Sequence, residues 1–228
     1  MDQNIRVAVD AVVFGYRNNN LYVLLIEQKF DGQKPYWALP GGLVHNNEPL
    51  IDAVKRELKE ETNVAVSYLE QLYTFGDNIY RDSRNRVISV AYFALIDSSK
   101  ITIKADTDAD NVQWFVITEI PALAFDHTEI ITRAIARLKA KLTYQPVGFD
   151  LLPPDFLFSD LENLYCTILE KEIDRRNFRK KILSFGIIEE TDKFSEKKGG
   201  RPAKLFRFNK AKYTAMEKDG FYFEIKFA

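Results

Sequence analysis

One run of residues narrows what this chain can fold into more than any other. Gly42 is followed six positions on by Glu48, then by Arg56-Glu57-Leu58-Lys59-Glu60-Glu61, and it ends in Asn63-Val64. Pro49 to Thr62 carries helical spacing behind the Pro40-Gly41-Gly42 punctuation, with Pro49 suited to a first helical position. On that helix Glu57 stands three residues from Glu60 and four from Glu61, so all three carboxylates crowd one face. Like charges so placed repel unless a cation lies among them. Mg²⁺ meets that need, because it prefers carboxylate and carbonyl oxygens and keeps positions open for substrate phosphates. The Gly41-Gly42 turn could bring a backbone carbonyl to the same ion. Arg56 could orient a carboxylate through its planar fork, while Leu58 anchors the opposite face. Such a metal would polarise a phosphoryl oxygen and activate water. A Lys- and Glu-rich helix standing alone is more often a solvated surface, and the residues upstream are what set this one apart.

The run resembles the Nudix box: Gly, five residues, Glu, seven residues, Arg-Glu, an aliphatic residue, any residue, Glu-Glu, any residue, Gly and an aliphatic residue. Leu39-Pro40-Gly41-Gly42 resembles the usual entry to it. Every position is filled except the last Gly, which is Asn63, the best non-glycine substitute where a helix ends in the left-handed conformation. The resemblance implies an α+β fold, a Nudix α/β/α sandwich with a mixed sheet. It further implies Glu57, Glu60 and Glu61 as metal ligands, joined by the Gly42 carbonyl, with Arg56 beside them in the catalytic set. Mg²⁺-dependent hydrolysis of a nucleoside diphosphate joined to another moiety is the activity it points to.

The rest of the chain fits that frame. Ile5 to Phe14 and Leu21 to Ile26 are β-rich and separated by Asn18, Asn19 and Asn20, which tolerate positive φ, so they predict a hairpin. Arg86 to Ile96 and Asn111 to Ile117 predict further strands, in which Trp114 and Phe115 are core aromatics, and Thr128 to Leu142 predicts a helix. Tyr144 to Pro154, with Pro146, Gly148, Pro153 and Pro154, breaks the pattern and predicts a border near Asp150, giving domains over 1–150 and 151–228. Beyond it Ser159 and Asp174 are placed to cap two helices, the second stopping at Gly186. Short strands follow at Ile187 to Thr191 and Leu205 to Asn209, on either side of a polar, Lys- and Gly-rich stretch.

Charge separates the two parts. Up to Asp150 there are 16 basic and 20 acidic residues, and beyond it 16 and 13. Between Lys171 and Arg207 the count is 12 basic against 6 acidic, which suits a surface facing phosphates. On the second helix Phe178, Ile182 and Phe185 fall on one side. Arg175, Arg176, Arg179 and Lys180 fall on the other, as a helix approaching a DNA groove requires. Lys197, Lys198, Arg201 and Lys204 surround Gly199-Gly200 in a hairpin that could follow the backbone or reach a minor groove. Taken singly, each basic run reads as a solvated face. Their order, a capped helix, a basic helix and a basic wing between strands, resembles a winged helix-turn-helix.

The whole chain is similar to the Nudix-related transcriptional regulators. Leu123-Ala124-Phe125-Asp126-His127, Arg175 to Lys181 and Gly200-Arg201-Pro202-Ala203-Lys204-Leu205 carry that resemblance with the box. It implies a homodimer binding double-stranded operator DNA under control of a small phosphorylated effector, with ADP-ribose first and a pentose or other sugar derivative as competitor. Many such regulators resemble enzymes whose box has decayed, whereas Glu57, Glu60 and Glu61 are all kept here. A working Mg²⁺-dependent pyrophosphohydrolase is therefore the rival, and a tail serving as a protein-interaction module is a third reading.

Smaller expectations complete the picture. Arg81 and Asp82, in a polar turn, are candidate ligand contacts beside Gly41 and Gly42. Asp126 stands at capping-box spacing before Glu129 and is expected to start a helix. His127 is a candidate ligand contact or base, His45 is assigned no role, and among Asp106, Asp108 and Asp110 nothing singles out a base. Cys166, the single cysteine, is read as a core thiol in a reducing compartment. Apolar runs far short of the roughly 20 residues that span a bilayer, and no basic-then-apolar leader, predict a cytoplasmic protein.

Overall fold

The computed structural model describes residues 4–28, 36–66, 68–97, 99, 112–196 and 202–225. Of the expected contacts, Lys197, Lys198 and Arg201 lie outside these residues, as do Asp106, Asp108 and Asp110. The chain divides into two compact units, residues 1–96 with 100–137, and residues 97–99 with 138–228. The division falls inside a helix, and the Pro- and Gly-bearing stretch from Tyr144 to Pro154 belongs to the second unit.

The first unit is built on β1 (Ile5–Arg17) and β2 (Asn20–Gln28), the expected hairpin, turned by Asn18 and Asn19 at φ 50° and 58°. Two consecutive positive φ values match the right-handed twist of the strands they join. β3 (Tyr36–Ala38) extends β2 and β4 (Gly41–Leu43) pairs with β1. After α1 (Leu50–Thr62) come β5 (Tyr68–Phe75), β6 (Arg86–Ile96) and β7 (Val112–Val116). The sheet runs β3-β2-β1-β6-β5, with β4 added to β1 and β7 to β2. Only the central β1–β6 pair is parallel among these pairings, so the sheet is mixed, as expected. Those two strands are buried along most of their length and read as nearly continuous apolar runs, as strands covered on both faces do.

Ala53, Val54 and Leu58 of α1 pack on Val9, Ala11, Val13, Val90 and Tyr92, and Glu57 and Glu61 of that helix come to lie against Gly42 and Gly41 of β4. The helix begins one residue later than Pro49, which serves as its N-cap. It ends at Asn63, whose φ of 52° is left-handed and whose N–H donates to the Lys59 carbonyl at 3.1 Å. α2 (His127–Tyr144) is fastened to β5 by Arg137, which donates to Glu70 and to the Leu72 carbonyl, and by Arg133 over the Tyr73 ring.

The second unit holds the C-terminal end of α2, a 3-10 turn at Val147–Leu151, β8 (Asp155–Phe156), α3 (Phe158–Leu169), α4 (Arg175–Ser184), β9 (Ile188–Phe194), β10 (Lys204–Phe208) and α5 (Lys210–Lys218). β8, β10 and β9 form a small antiparallel sheet. Its core is aromatic: Phe149 stacks on Phe208 at 4.4 Å, Phe158 meets Phe206 edge-on, and Tyr165 lies against Phe178. Asp174 caps α4 as expected, accepting from the Asn177 N–H at 3.0 Å, and Gly186 follows at φ 65°. Ser159 is not a cap. α3 starts two residues earlier, at Phe158 behind Leu157, and Asp160 reaches back to accept from the Leu157 N–H. Cys166 is only half-buried. Among the described residues no helix is long and apolar enough to cross a membrane.

The left-handed backbone at Asn63 should make that position sensitive to shape rather than charge. Asn63→Ala is expected to cost about 1 kcal/mol in urea unfolding, while Asn63→Gly is expected to be neutral or stabilising. Equal effects of the two would show that the backbone there is under no constraint.

Candidate functional site

β1 and β4 run side by side, with Asp10 opposite Gly41 and Val9 opposite Gly42. A cleft of about 290 Å³ opens beside them, lined by these glycines, Asp10, Arg81, Asp82, Arg84, Phe125 and His127 among others. The approach is too close for larger residues. A Cβ on Gly41 would fall on the Val9 carbonyl oxygen and one on Gly42 on the Glu57 carboxylate.

The carboxylates on and before the helix divide between one cation and a backbone donor. Arg56 forks onto Glu48 at 2.7 and 2.9 Å, and its other terminal nitrogen reaches Glu57 at 2.7 Å and Glu60 at 3.2 Å. The guanidinium on Glu48 holds that carboxyl down to about 2. Glu61 turns inward and accepts from the Gly41 N–H at 2.8 Å. Burial pushes its carboxyl up to about 7 against that hydrogen bond, and the Glu57 and Asp10 carboxylates add to the rise. The expected ligand set of Gly42, Glu57, Glu60 and Glu61 is not gathered as it stands: Glu60 is largely exposed and turned to Arg56. No group of three His, Cys, Asp or Glu side chains among the described residues is placed to hold a metal ion. The physical reason is Arg56, which answers the repulsion between Glu57 and Glu60 that the spacing creates. The donor chemistry nevertheless fits a hard cation. Glu57, Glu61 and the Gly42 backbone are neighbours, and a half-buried carboxyl beside two carboxylates is a group that positive charge would return to its ionised form.

Arg81 lies deeper, its side chain only 4% exposed. It grips Asp126 with two hydrogen bonds, at 2.9 and 2.6 Å, and reaches Asp10 at 3.3 Å. Ser89 also donates to Asp10. His127 Nδ1 accepts from the Leu39 N–H at 2.9 Å, which leaves the proton of the neutral ring on Nε2, 3.5 Å from Asp10. Burial lowers the His127 pKa despite that carboxylate. Asp126 therefore does not cap α2 with its side chain, as its spacing suggested, because Arg81 claims the carboxylate. Only its carbonyl accepts from the helix, from the Glu129 and Ile130 N–H groups. Asp82 is tied to Arg84 by two side-chain hydrogen bonds and both line the cleft. The sequence reading missed Asp10, Ser89 and Phe125. Asp10 carried a signal: it is the one charge in the apolar run Val7 to Phe14.

On the second unit the basic residues separate into two kinds. Arg175 is spent on α3, bonded to Glu162 at 3.1 Å and Asn163 at 2.9 Å. Arg179 lies over the Phe158 ring at 4.3 Å and near that of Phe206, and Lys204 pairs with Glu190. Arg176 and Lys180 are exposed and enter no hydrogen bond or ion pair among the described residues. Asp155 on β8 holds two cations, Lys193 of β9 and Arg207 of β10, and so pins the base of the hairpin that joins them.

Comparison with known proteins joins the two units. The NUDIX domain family matches residues 4–138 and the NrtR DNA-binding winged helix domain matches residues 148–208. The chain belongs to the Nudix-related transcriptional regulators. It is 36% identical over 206 residues to the ADPR responsive transcriptional repressor NtrR of Acinetobacter baylyi, covering 89% of this chain and 81% of that one. The crystal structure of Shewanella oneidensis NrtR complexed with a 27mer DNA superposes with a TM-score of 0.78 at 33% identity, over 89% of this chain and 93% of that one. The NUDIX domain of the same Shewanella protein complexed with ADP ribose matches 60% of this chain and 90% of its own, with a TM-score of 0.50 at 34% identity.

In the regulator, removing the buried Arg81 cation leaves the Asp10 and Asp126 carboxylates without the charge they share. Arg81→Met is expected to cost about 3 kcal/mol or more in urea unfolding. A loss under about 1 kcal/mol, as for an exposed pair, would contradict that reading.

Proposed function

We infer that this regulator binds ADP-ribose in the cleft of its first unit and operator DNA through α4 and the hairpin between β9 and β10, the effector changing the affinity for the operator. The effector-binding part is taken to span 1–150 and the DNA-binding part 151–228. The observation that carries this reading is that the two family matches fall one on each unit, with a cleft in the first and unpaired basic residues on the second. Gly41, Gly42, Arg81 and Asp82 line the cleft and are the proposed ligand contacts. Among the basic set, Arg176 and Lys180 are proposed to meet phosphates directly, with Lys197, Lys198 and Arg201 from the wing. Arg175, Arg179 and Lys204 serve first to hold α4 and the wing strand in place and have less charge left to offer. Operators of two-fold symmetry favour a homodimer, and a DNA-binding regulator of this kind works in the cytoplasm.

Hydrolysis is the second reading, favoured by one observation: Arg56, Glu57, Glu60 and Glu61 are all kept and Glu61 is half-buried near Glu57 and Asp10. Glu57, Glu60 and Glu61, with the Gly42 carbonyl, would hold Mg²⁺. The ion would supply charge for the phosphoryl oxygens and lower the pKa of water. Arg56 bonds to both Glu57 and Glu60, and the Gly41 N–H fixes the Glu61 carboxylate.

A titration onto the chain's own upstream DNA at two salt concentrations, with and without ADP-ribose and Mg²⁺, tests both readings when AMP release is assayed in the same mixture. Selective binding altered by ADP-ribose is expected. Because each lost phosphate contact removes about one unit from the slope of log affinity against log salt, Arg176→Ala with Lys180→Ala should lower the slope by about two. Metal-dependent AMP release abolished by Glu61→Gln, without selective DNA binding, would leave an enzyme with a basic tail.

A further inference from the structure

The small sheet of the second unit has two faces of opposite character. In register, Phe156 stands across from Phe206 and Asp155 across from Arg207. Both phenylalanines are buried, Phe206 against Phe158 of α3, so the alternation of a strand turns Asp155 and Arg207 outward. On that outer face one carboxylate is fully occupied. Arg207 places two nitrogens on one oxygen of Asp155, at 2.8 and 2.7 Å, and Lys193 of β9 places its ammonium on the other at 2.7 Å. The Asp155 side chain is only 13% exposed, whereas those of Lys193 and Arg207 are 65% and 53% exposed. The two cations hold the Asp155 carboxyl below the usual carboxylate range. Among the described residues neither cation enters an ion pair with a second carboxylate, and Glu189, opposite Arg207 in register, is bonded to Asn209.

Two well-exposed cations on the strands of a wing are what any stretch of DNA attracts, because a phosphate contact carries no sequence information. A free cation gains from a phosphate chiefly by releasing the salt ions condensed on the DNA. Lys193 and Arg207 gain little in that exchange, since to reach a phosphate they must part from Asp155 and leave its carboxylate beside the DNA. We propose that Asp155 is a specificity-determining residue, a built-in counterion that withholds Lys193 and Arg207 from the phosphates of unselected DNA. The proposal rests on the reading of the hairpin between β9 and β10 as a DNA contact and deepens it. On the operator the wing must sit where α4 places it, and the clamp on Asp155 keeps the base of the hairpin in that geometry. Unselected DNA demands no such geometry, so cations released from Asp155 would count there in full.

The test reads charge through salt. Binding of the full chain to its own upstream DNA and to an unrelated duplex of equal length is followed by fluorescence anisotropy across a salt series. Asp155→Asn keeps the shape of the side chain and removes its charge. It is expected to bind the unrelated duplex about tenfold more tightly at low salt, with a slope of log affinity against log salt steeper by about one to two. Lys193 supplies the first unit, and Arg207, which has Glu189 opposite it, up to one more. Affinity for the upstream DNA should change by less than about threefold, so selectivity falls. Adding Lys193→Gln to Asp155→Asn should take about one unit off the slope again. Asp155→Glu, which keeps the charge, should retain the slope of the parent even where its melting temperature drops. A fold defect alone cannot add phosphate contacts, so an unchanged or shallower slope in Asp155→Asn would overturn the proposal. An equal gain on both duplexes would overturn it too, while leaving the hairpin as a DNA contact. No preference of the parent for its upstream DNA would overturn both.

Discussion

A guanidinium placed where water cannot reach it must be answered by charge, and Arg81 is answered twice. Asp10 comes from the middle of the central strand of the first unit and Asp126 from the turn that starts α2, so one buried cation ties the sheet to the helix. Pairing of this kind adds little net stability but makes any other arrangement expensive, because each partner left alone would be a buried unpaired charge. With Asp126 held, the turn that carries Phe125 has its place. With Asp10 held, His127 can stay neutral between Asp10 and the Leu39 N–H. The floor of the cleft is thus set by electrostatics, while Arg84 at its edge is nearly half-exposed.

Much of this was legible in the sequence. The Asn pair of the hairpin, the Asp174 cap, the Gly186 stop and the apolar length of β6 are local rules, and the chain obeys them. The box told where the carboxylates would lie because helical spacing fixes which residues share a face. What the sequence could not tell was the choice among competing partners. Asp126 had the spacing of a cap, but a charge-assisted grip from Arg81, distant in the chain, is stronger than a cap hydrogen bond. Arg175 and Arg179 had the spacing of a DNA-facing stripe, and their contacts with Glu162 and the Phe158 ring could not be read from it. Ser159 lost its place as cap to Leu157 because Asp160 could reach back from inside the helix. β8 and α5 went unread because two residues carry no period and α5 has no buried face.

The kept box and the separated basic residues bear on the same question, namely how a fold associated with hydrolysis comes to regulate. Sensing needs the cleft and its anchors, and these are present whether or not water is activated there. Reading DNA needs only a few free cations on a rigid frame, and Arg175, Arg179, Lys193, Lys204 and Arg207 build that frame while Arg176 and Lys180 remain unspent. Hydrolysis at the kept box, the second reading proposed above, would remove the signal and make the response transient.

If effector and operator act on one equilibrium, thermodynamics leaves no freedom in how they influence each other, since the factor by which ADP-ribose changes the affinity for DNA must equal the factor by which DNA changes the affinity for ADP-ribose. Measuring both dissociation constants, each with and without a saturating amount of the other ligand, is therefore the most direct test of the central claim. The account expects two factors that agree and differ clearly from one, typically about 5-fold to 150-fold. A factor of one in both directions would mean that the two sites share a chain without sharing a function.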